Sequence, residues 1–246
     1  MKRAVTLIVA AAIGLTVASL SAKAQAALPT VDQILDKYIT AVGGREAMEK
    51  VTSRVSTGTV EIPDMGATGT ISISEKAPNK SLAVIEIGGM GQIREGSDGV
   101  GAWEEAPGGG AVRDKSGAEL ADALRGSTFN SELKLKTLYK TVVVSGKEAI
   151  DGKDAYVVVC TPAEGSPNKL YFDAASGLMV RQSSSRETPQ GPMDVDVMVG
   201  DYRTVGGVKL PFTVRQVTSM FTVVIKLSEI KLNVPLDDAL FKRPGW

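Results

Sequence analysis

Residues 30–44 carry a helical pattern of apolar positions. Apolar side chains recur at intervals of three and four residues, which predicts an amphipathic helix. Thr30 is suited to cap its start, and Gln33 completes a capping-box spacing. The pair Gly43-Gly44 predicts a left-handed stop, and a short second turn is predicted over 45–51. The apolar positions are Val31, Ile34, Leu35, Tyr38, Ile39 and Val42.

From Thr52 the period of the pattern changes to two. Ile71 and Ile73, for example, alternate with threonine and serine. Turn signals separate the alternating segments at 63–64, 78–79 and 88–89. Connections this short cannot make parallel crossovers, so the segment 52–95 predicts an antiparallel meander.

Between 116 and 139 the period becomes helical again. The pattern predicts two short helices that are broken near Gly126-Ser127, with Ser127 or Thr128 capping the second. This is the only substantial helical pattern after the opening helix, and it interrupts the sheet. Its apolar positions are Leu120, Leu124, Phe129, Leu133 and Leu138.

After Lys140 the two-residue period continues almost to the end. In the last long strand Phe221, Val223, Ile225 and Leu227 share one face, and the apolar positions then change parity. The change predicts a bulge or a bend near Ser228-Glu229.

These elements predict an α+β fold built on a single sheet. About ten or eleven antiparallel strands form one strongly curved sheet, an unclosed barrel, and helices occur only at the start and in the middle. A curved sheet of that size needs a cover on its concave face. The opening helix and the 116–139 helices are the candidates.

The first 26 residues resemble an export signal. A basic start is followed by an apolar stretch over 4–20, and Ala24-Gln25-Ala26 gives the small-x-small pattern of a cleavage site. Ala22-Lys23-Ala24 is a competing site, and an uncleaved membrane anchor is the alternative. No cysteine lies near this segment, which excludes lipid attachment at a mature N-terminal cysteine. We expect an exported, periplasmic protein, soluble after cleavage, with one domain over 27–246.

Composition excludes several classes of function. The chain has 28 basic and 28 acidic residues, and removal of residues 1–26 leaves 25 basic against 28 acidic ones. This balance argues against nucleic acid as a partner. Histidine is absent, which excludes Ser-His-Asp catalysis and histidine-ligated metals. The single cysteine, Cys160, lies in an apolar strand and is expected to be a buried, inert thiol.

Three motifs contain residue types that occur in catalytic or ligand-binding sites. The segment 88–110 has nine glycines but no phosphate-loop spacing, so it is interpreted as hairpin turns and a flexible loop. Asp194 and Asp196 share one face of a strand. Paired acids can bind calcium or hydrolyse glycosides, but acidic residues at alternate positions are more simply interpreted as the solvent-facing side of the strand. Ser131 and Lys134 lack the partner motifs of a serine–lysine enzyme. We therefore expect no enzyme, no cofactor and no metal.

Several segments resemble the outer-membrane lipoprotein-sorting superfamily, the LolA/LolB-like periplasmic carriers. They are Val42-Gly43-Gly44 with the strand at 54–62, the run 150–158 (IDGKDAYVV), the run 169–181 (KLYFDAASGLMVR), the run 201–211 (DYRTVGGVKLP) and the tail 237–244 (DDALFKRP). The resemblance implies one LolA/LolB-like domain over 27–246. Its fold would be an unclosed, curved antiparallel sheet whose helices enclose acyl chains or another lipophilic ligand.

The leading hypothesis is a periplasmic carrier or chaperone with an apolar cavity for a lipid, a lipoprotein acyl chain or another lipophilic ligand. An envelope protein would be a further partner. The alternative is a non-enzymatic envelope interaction or sensing module with a closed core; an apolar groove of roughly 300 Å³ or more would favour the carrier. The candidate ligand-binding residues are Trp103, Leu120, Leu124, Phe129, Leu133 and Phe212.

Overall fold

The computed structural model describes residues 27–188 and 191–245, and the predicted export signal lies outside them. The described residues form one antiparallel sheet of thirteen strands. The strand order is β6-β5-β4-β3-β2-β1-β13-β12-β11-β10-β9-β8-β7. Because β6 and β7 are separate edges, the sheet is not closed into a barrel. The predicted α+β fold with a curved, unclosed sheet is confirmed.

The strands are β1 (Ser53–Ile62), β2 (Ala67–Lys76), β3 (Lys80–Ile87), β4 (Gly91–Ser97), β5 (Ala102–Glu105), β6 (Val112–Asp114), β7 (Thr141–Ile150), β8 (Lys153–Thr161), β9 (Asn168–Asp173), β10 (Met179–Thr188), β11 (Gly191–Val205), β12 (Val208–Thr218) and β13 (Thr222–Leu232). The α-helices are α1 (Val31–Ala41), α2 (Arg45–Glu49), α3 (Gly117–Gly126) and α4 (Leu135–Leu138). Short 3₁₀ turns cover Pro63–Met65, Ser131–Lys134 and Asp238–Phe241.

The strand count exceeds the predicted ten or eleven. Strands β5 and β6 have only four and three residues; β5 lies inside the glycine-rich segment 88–110, and β6 directly follows it. Such short strands carry too few alternating positions to be recognised by their pattern. The hairpin turns expected in that segment are present between β3 and β4 and between β5 and β6.

The opening helix has the predicted capping. The Thr30 hydroxyl accepts a hydrogen bond from the Gln33 backbone N–H at 3.2 Å, and the Gln33 side chain accepts one from the Thr30 N–H at 2.8 Å. Beyond the helix end, Gly43 has a φ of +119°. The Val42 carbonyl oxygen accepts a hydrogen bond from the Lys209 N–H, which attaches the end of α1 to β12.

The predicted irregularity near Ser228 is a β-bulge. Thr57 pairs with Glu229 and Gly58 pairs with Leu227, so Ser228 is the extra residue on β13. The extra residue restores the parity of the apolar positions, because Leu227 and Ile230 then face the same side of the sheet.

The break between the middle helices was placed correctly, but the predicted caps were wrong. Ser127 and Thr128 do not begin the second helix, because their hydroxyls donate to the Leu124 carbonyl oxygen at the end of α3. The following 3₁₀ turn begins after Asn130, whose φ is +50°. α4 continues directly from that turn.

Residues 115–140 connect the two edge strands, β6 and β7. This crossing segment and α1 lie on the same face of the sheet, which we call the concave face. The main core forms where α1 packs on β8, β9 and β12, and the rings of Tyr38 and Phe172 meet edge to face at 5.4 Å. The crossing segment contributes Phe129 and Leu135 to this core.

Candidate functional site

A groove of about 800 Å³ lies between the concave face and the crossing segment. Strands β2 to β6, β9 to β11 and β13 contribute side chains to it, and α3, α4 and the 3₁₀ turn between them supply the opposite wall. The topology explains the groove. A chain that passes from one edge of a curved sheet to the other spans the hollow without filling all of it.

One part of the lining is apolar. Period-two alternation places the isoleucines of β2, β3 and β13 on the concave face. On β2 the alternate positions are threonine and serine, which face outward. From the opposite wall, α4 contributes two leucines. These lining residues are Ile71, Ile73, Ala83, Ile85, Ile225, Leu135 and Leu138.

The end of the groove near β5 and β6 is ionic. The Arg113 guanidinium lies between two carboxylates, with Nη2 at 2.6 Å from Glu119 Oε1 and 2.9 Å from Glu104 Oε1. Its hydrogen bonds hold the pKa of Glu119 below its ordinary value. Lys115 pairs with Glu95 and lies 3.9 Å from Glu119. The charges at this end are therefore matched within the protein.

A second polar group lies deeper, between β1, β2 and the crossing segment. Arg54 donates to Glu75 through Nε at 2.6 Å and Nη2 at 2.8 Å, and its guanidinium lies over the ring of Phe129 at 5.7 Å. Although burial opposes the charged form, Glu75 keeps the pKa of Arg54 above its ordinary value. Glu75 and Glu132 both line the groove. This ion pair thus places fixed charge next to the apolar wall.

Two phenols are held neutral close to Glu132. Burial raises the pKa of Tyr38 well above its ordinary value, and the carboxylate of Glu132 adds to the shift. Burial also raises the pKa of Tyr202, whose hydroxyl donates to the Met179 carbonyl oxygen at 2.8 Å. Both groups therefore stay protonated, and able to donate a hydrogen bond, well above neutral pH.

The only cysteine is buried, as predicted. Cys160 has no exposed surface, and burial raises the pKa of its thiol to about 12. A thiol this weakly acidic is almost entirely un-ionised at neutral pH, so it lacks the thiolate that nucleophilic chemistry needs.

Three of the predicted ligand-binding residues are fully buried in separate places. Trp103 lies on the outer face, where it packs against Leu82 and Phe241. Phe129 lies in the main core. Phe212 lies beneath the guanidinium of Arg203, at 4.5 Å from the ring centre.

The other three belong to the crossing segment. Leu120 and Leu124 are half-buried on α3, and Leu133 packs against the main core. None of the six predicted residues is among the side chains that line the groove within the described part of the chain. Their contact with a ligand stays a prediction, since the structure contains no ligand.

Of the two aspartates on β11, Asp196 is hydrogen-bonded within the protein and Asp194 faces solvent. Asp196 accepts hydrogen bonds from Arg181 at 2.6 Å and from the Ser183 hydroxyl, and Asp194 is exposed. Among residues 27–188 and 191–245, no group of three or more acidic or cysteine side chains is placed to hold a metal ion. Nor does any helix in this part of the chain have the length and apolarity needed to cross a membrane.

Sequence reasoning missed the sheet side of the groove. The sequence shows Ile71, Ile73 and Ile225 in alternating patterns, which predict strands. The pattern does not predict that β1 pairs with both β2 and β13. That pairing brings the three isoleucines of β2 and β13 to neighbouring positions across β1. The ionic residues of β5, β6 and α3 gave no recognisable signal, because their clustering depends on the tertiary fold.

The chain matches no protein-family model and no curated protein sequence. Solved structures with the same fold do exist. A LolA superfamily protein from Nitrosomonas europaea is 15% identical and superposes with a TM-score of 0.58 over 88% of this chain and 99% of its own. A DUF1329 family protein from Desulfovibrio piger is 18% identical, with a TM-score of 0.59 over 86% and 97%.

A domain from Vibrio parahaemolyticus named as an outer membrane lipoprotein-sorting protein domain is 12% identical, with a TM-score of 0.57 over 85% of this chain and 94% of its own. These likenesses cover nearly all of the described residues. The expected resemblance to LolA-like proteins is therefore confirmed at the level of the fold.

Proposed function

We propose that this protein is an exported, periplasmic carrier that holds a lipid, a lipoprotein acyl chain or another lipophilic ligand in the groove. The observation that carries the proposal is the groove itself, about 800 Å³ between the concave face and the crossing segment. Its size falls in the range of ligand pockets and exceeds the roughly 300 Å³ that separates a carrier from a closed interaction module.

The lining favours an amphiphile over a wholly apolar ligand. Each methylene that moves from water onto the isoleucine wall contributes about 0.8 kcal/mol, so a single acyl chain supplies useful affinity. The ionic end, with Arg113 between Glu104 and Glu119, offers hydrogen-bonding partners for a polar head. We expect the acyl chain to lie along β2, β3 and β13 and the head to lie toward β5 and β6.

Binding without catalysis is consistent with the chemistry of the groove. Arg113, Lys115 and Arg125 are all paired with carboxylates in this structure. Groups that neutralise each other in this way are poorly suited to activate a nucleophile. They hold the walls of the groove in place and leave the ligand unchanged.

Export and location are inferred from the sequence of residues 1–26 and from the neighbours. The Vibrio domain is named for outer-membrane lipoprotein sorting, and this chain shares its fold. We infer that lipoprotein acyl chains or envelope lipids are the ligand class and that an envelope protein delivers or receives them.

A bulky substitution in the groove tests the proposal. Ala83 lines the groove on β3, and Ala83→Trp would occupy space that a ligand needs. Exclusion of two methylenes would weaken binding of a fluorescent fatty acid about tenfold. Ala149→Trp is the matched control, because Ala149 is exposed on the edge strand β7.

Native mass spectrometry of protein recovered from the periplasm supplies the second measurement. We expect a bound lipophilic mass on the wild type and on Ala149→Trp, and less of it on Ala83→Trp. A wild type that carries no extractable lipid and does not bind the fluorescent probe would refute the carrier function.

A further inference from the structure

Three neighbouring hairpin turns of the sheet present exposed methionines at one end. The turns are 63–66 between β1 and β2, 88–90 between β3 and β4, and 219–221 between β12 and β13; we call them the hairpin rim. Met65, Met90 and Met220 are 58%, 38% and 70% exposed. Large apolar side chains with this exposure need an explanation when they cluster.

The strand order places the three turns side by side. Consecutive strands alternate in direction, and β1 pairs antiparallel with β13, so all three hairpins turn at the same end of the sheet. Neighbouring strands are about 4.8 Å apart, and these hairpins therefore follow one another at about 10 Å. The three methionines form a row about 20 Å long.

The rim has little charge and is held in place. Asp64 is the only charged residue in the three turns, and its carboxylate accepts a hydrogen bond from the Thr222 N–H at 2.6 Å, which joins the first turn to β13. Directly behind the turns an apolar cluster contains Ile62, Ile87 and Phe221. The same cluster includes Ile85 and Ile225, two residues of the groove wall. The apolar lining of the groove thus extends to the rim.

We infer that the hairpin rim docks this protein on the surface of a lipid bilayer. Three separate side-chain tips offer far less area than the roughly 800 Å² per partner of a stable protein–protein interface. A bilayer needs no shape complementarity, because each apolar tip enters the headgroup and acyl boundary independently. The near absence of charge on the turns removes the desolvation cost that ionic side chains would add. Docking does not depend on which ligand the groove holds.

Vesicle binding of paired variants tests the inference. The rim variant is Met65→Ser/Met220→Ser, and the control is Val100→Ser/Val143→Ser, which removes two similarly exposed apolar side chains from the opposite end and from the edge strand β7. We expect the rim variant to bind vesicles of phosphatidylethanolamine and phosphatidylglycerol roughly twentyfold more weakly than the wild type. The control should bind as the wild type does. Circular dichroism should show that both variants are folded.

A site-specific probe gives a direct readout. Cys160 is fully buried with a raised thiol pKa, so a dye reacts selectively with a cysteine introduced at the surface. An environment-sensitive dye on Met220→Cys should shift to shorter wavelength when vesicles are added, and the same dye on Val100→Cys should not. No vesicle binding by the wild type, equal losses in the two double variants, or equal dye responses would each overturn the inference.

The two proposals fail separately. Ala83→Trp should lose affinity for the fluorescent fatty acid and keep its affinity for vesicles. The rim variant should show the reverse. A rim variant that binds vesicles normally refutes docking by the rim, whatever the result of the fatty-acid assay.

Discussion

The C-terminal tail is predicted to hold the outer face of β3 to β5 through one side chain. Phe241 has no exposed surface and packs against Leu82 and Trp103. The Trp103 indole N–H also donates to the Phe241 carbonyl oxygen at 3.3 Å. Phe241→Ala would therefore open a cavity between the tail and the strands.

The magnitude follows from the burial of the ring. A fully buried phenylalanine that is replaced by alanine costs about 3–5 kcal/mol, because the transfer free energy of the ring is lost and the cavity collapses only partly. For a domain of this size the midpoint of thermal unfolding should fall by roughly 10 °C. Urea unfolding, followed by tryptophan fluorescence and by circular dichroism, measures the free energy of unfolding.

The neighbouring residue provides the control. Leu240 precedes Phe241 in the same 3₁₀ turn but is 38% exposed, so Leu240→Ala should cost less than about 1 kcal/mol. Equal losses for the two variants, or a loss below about 1 kcal/mol for Phe241→Ala, would show that the tail does not stabilise the sheet through this side chain.

Two further predictions concern a glycine pair and acid stability. Gly43 has a φ of +119°, and a Cβ added there would lie 2.2 Å from the Gly207 carbonyl oxygen. Gly44 also has a positive φ, but a Cβ added there would meet nothing within 4 Å. Gly43→Ala should therefore lower the thermal midpoint more than Gly44→Ala does. Asp238 pairs with Lys76 and Lys80, whose hydrogen bonds lower its pKa to about 2. The ion pairs of the charged carboxylate therefore stabilise the fold above pH 4, and this stabilisation is lost as the pH falls from 4 to 2. Urea unfolding across that range should show a flatter pH dependence for Asp238→Asn than for the wild type, and an unchanged dependence would contradict this assignment.

The elements that sequence reasoning placed correctly are those with strong local signals. Thr30 and Gln33 lie three residues apart, so the capping box depends only on neighbouring positions. The bulge at Ser228 was visible because it breaks the parity of a long strand. Both predictions were correct because each depends only on residues within one helix or one strand.

The features that sequence reasoning did not find depend on distant partners. The hydroxyls of Ser127 and Thr128 donate backward to the Leu124 carbonyl oxygen, and a capping residue type alone does not specify the direction of its hydrogen bond. The face on which Trp103 lies depends on the pairing of β5 with β4. The ionic end of the groove likewise forms only when α3 is brought over β5 and β6.

The anchoring of the crossing segment explains why the groove is both covered and open. Firm attachments lie near its two ends and its middle: the Lys115 N–H donates to the Ala102 carbonyl oxygen, the Phe129 N–H donates to the Pro78 carbonyl oxygen, and Leu135 is buried in the core. Between the first two attachments, α3 contains no fully buried residue. Its connection to the sheet there relies on ionic contacts such as Arg113 with Glu119, which stabilise less than apolar burial does. A cover that is fixed at its ends and weakly packed along α3 leaves space above the isoleucines, and this space is the groove on which the proposed carrier function depends.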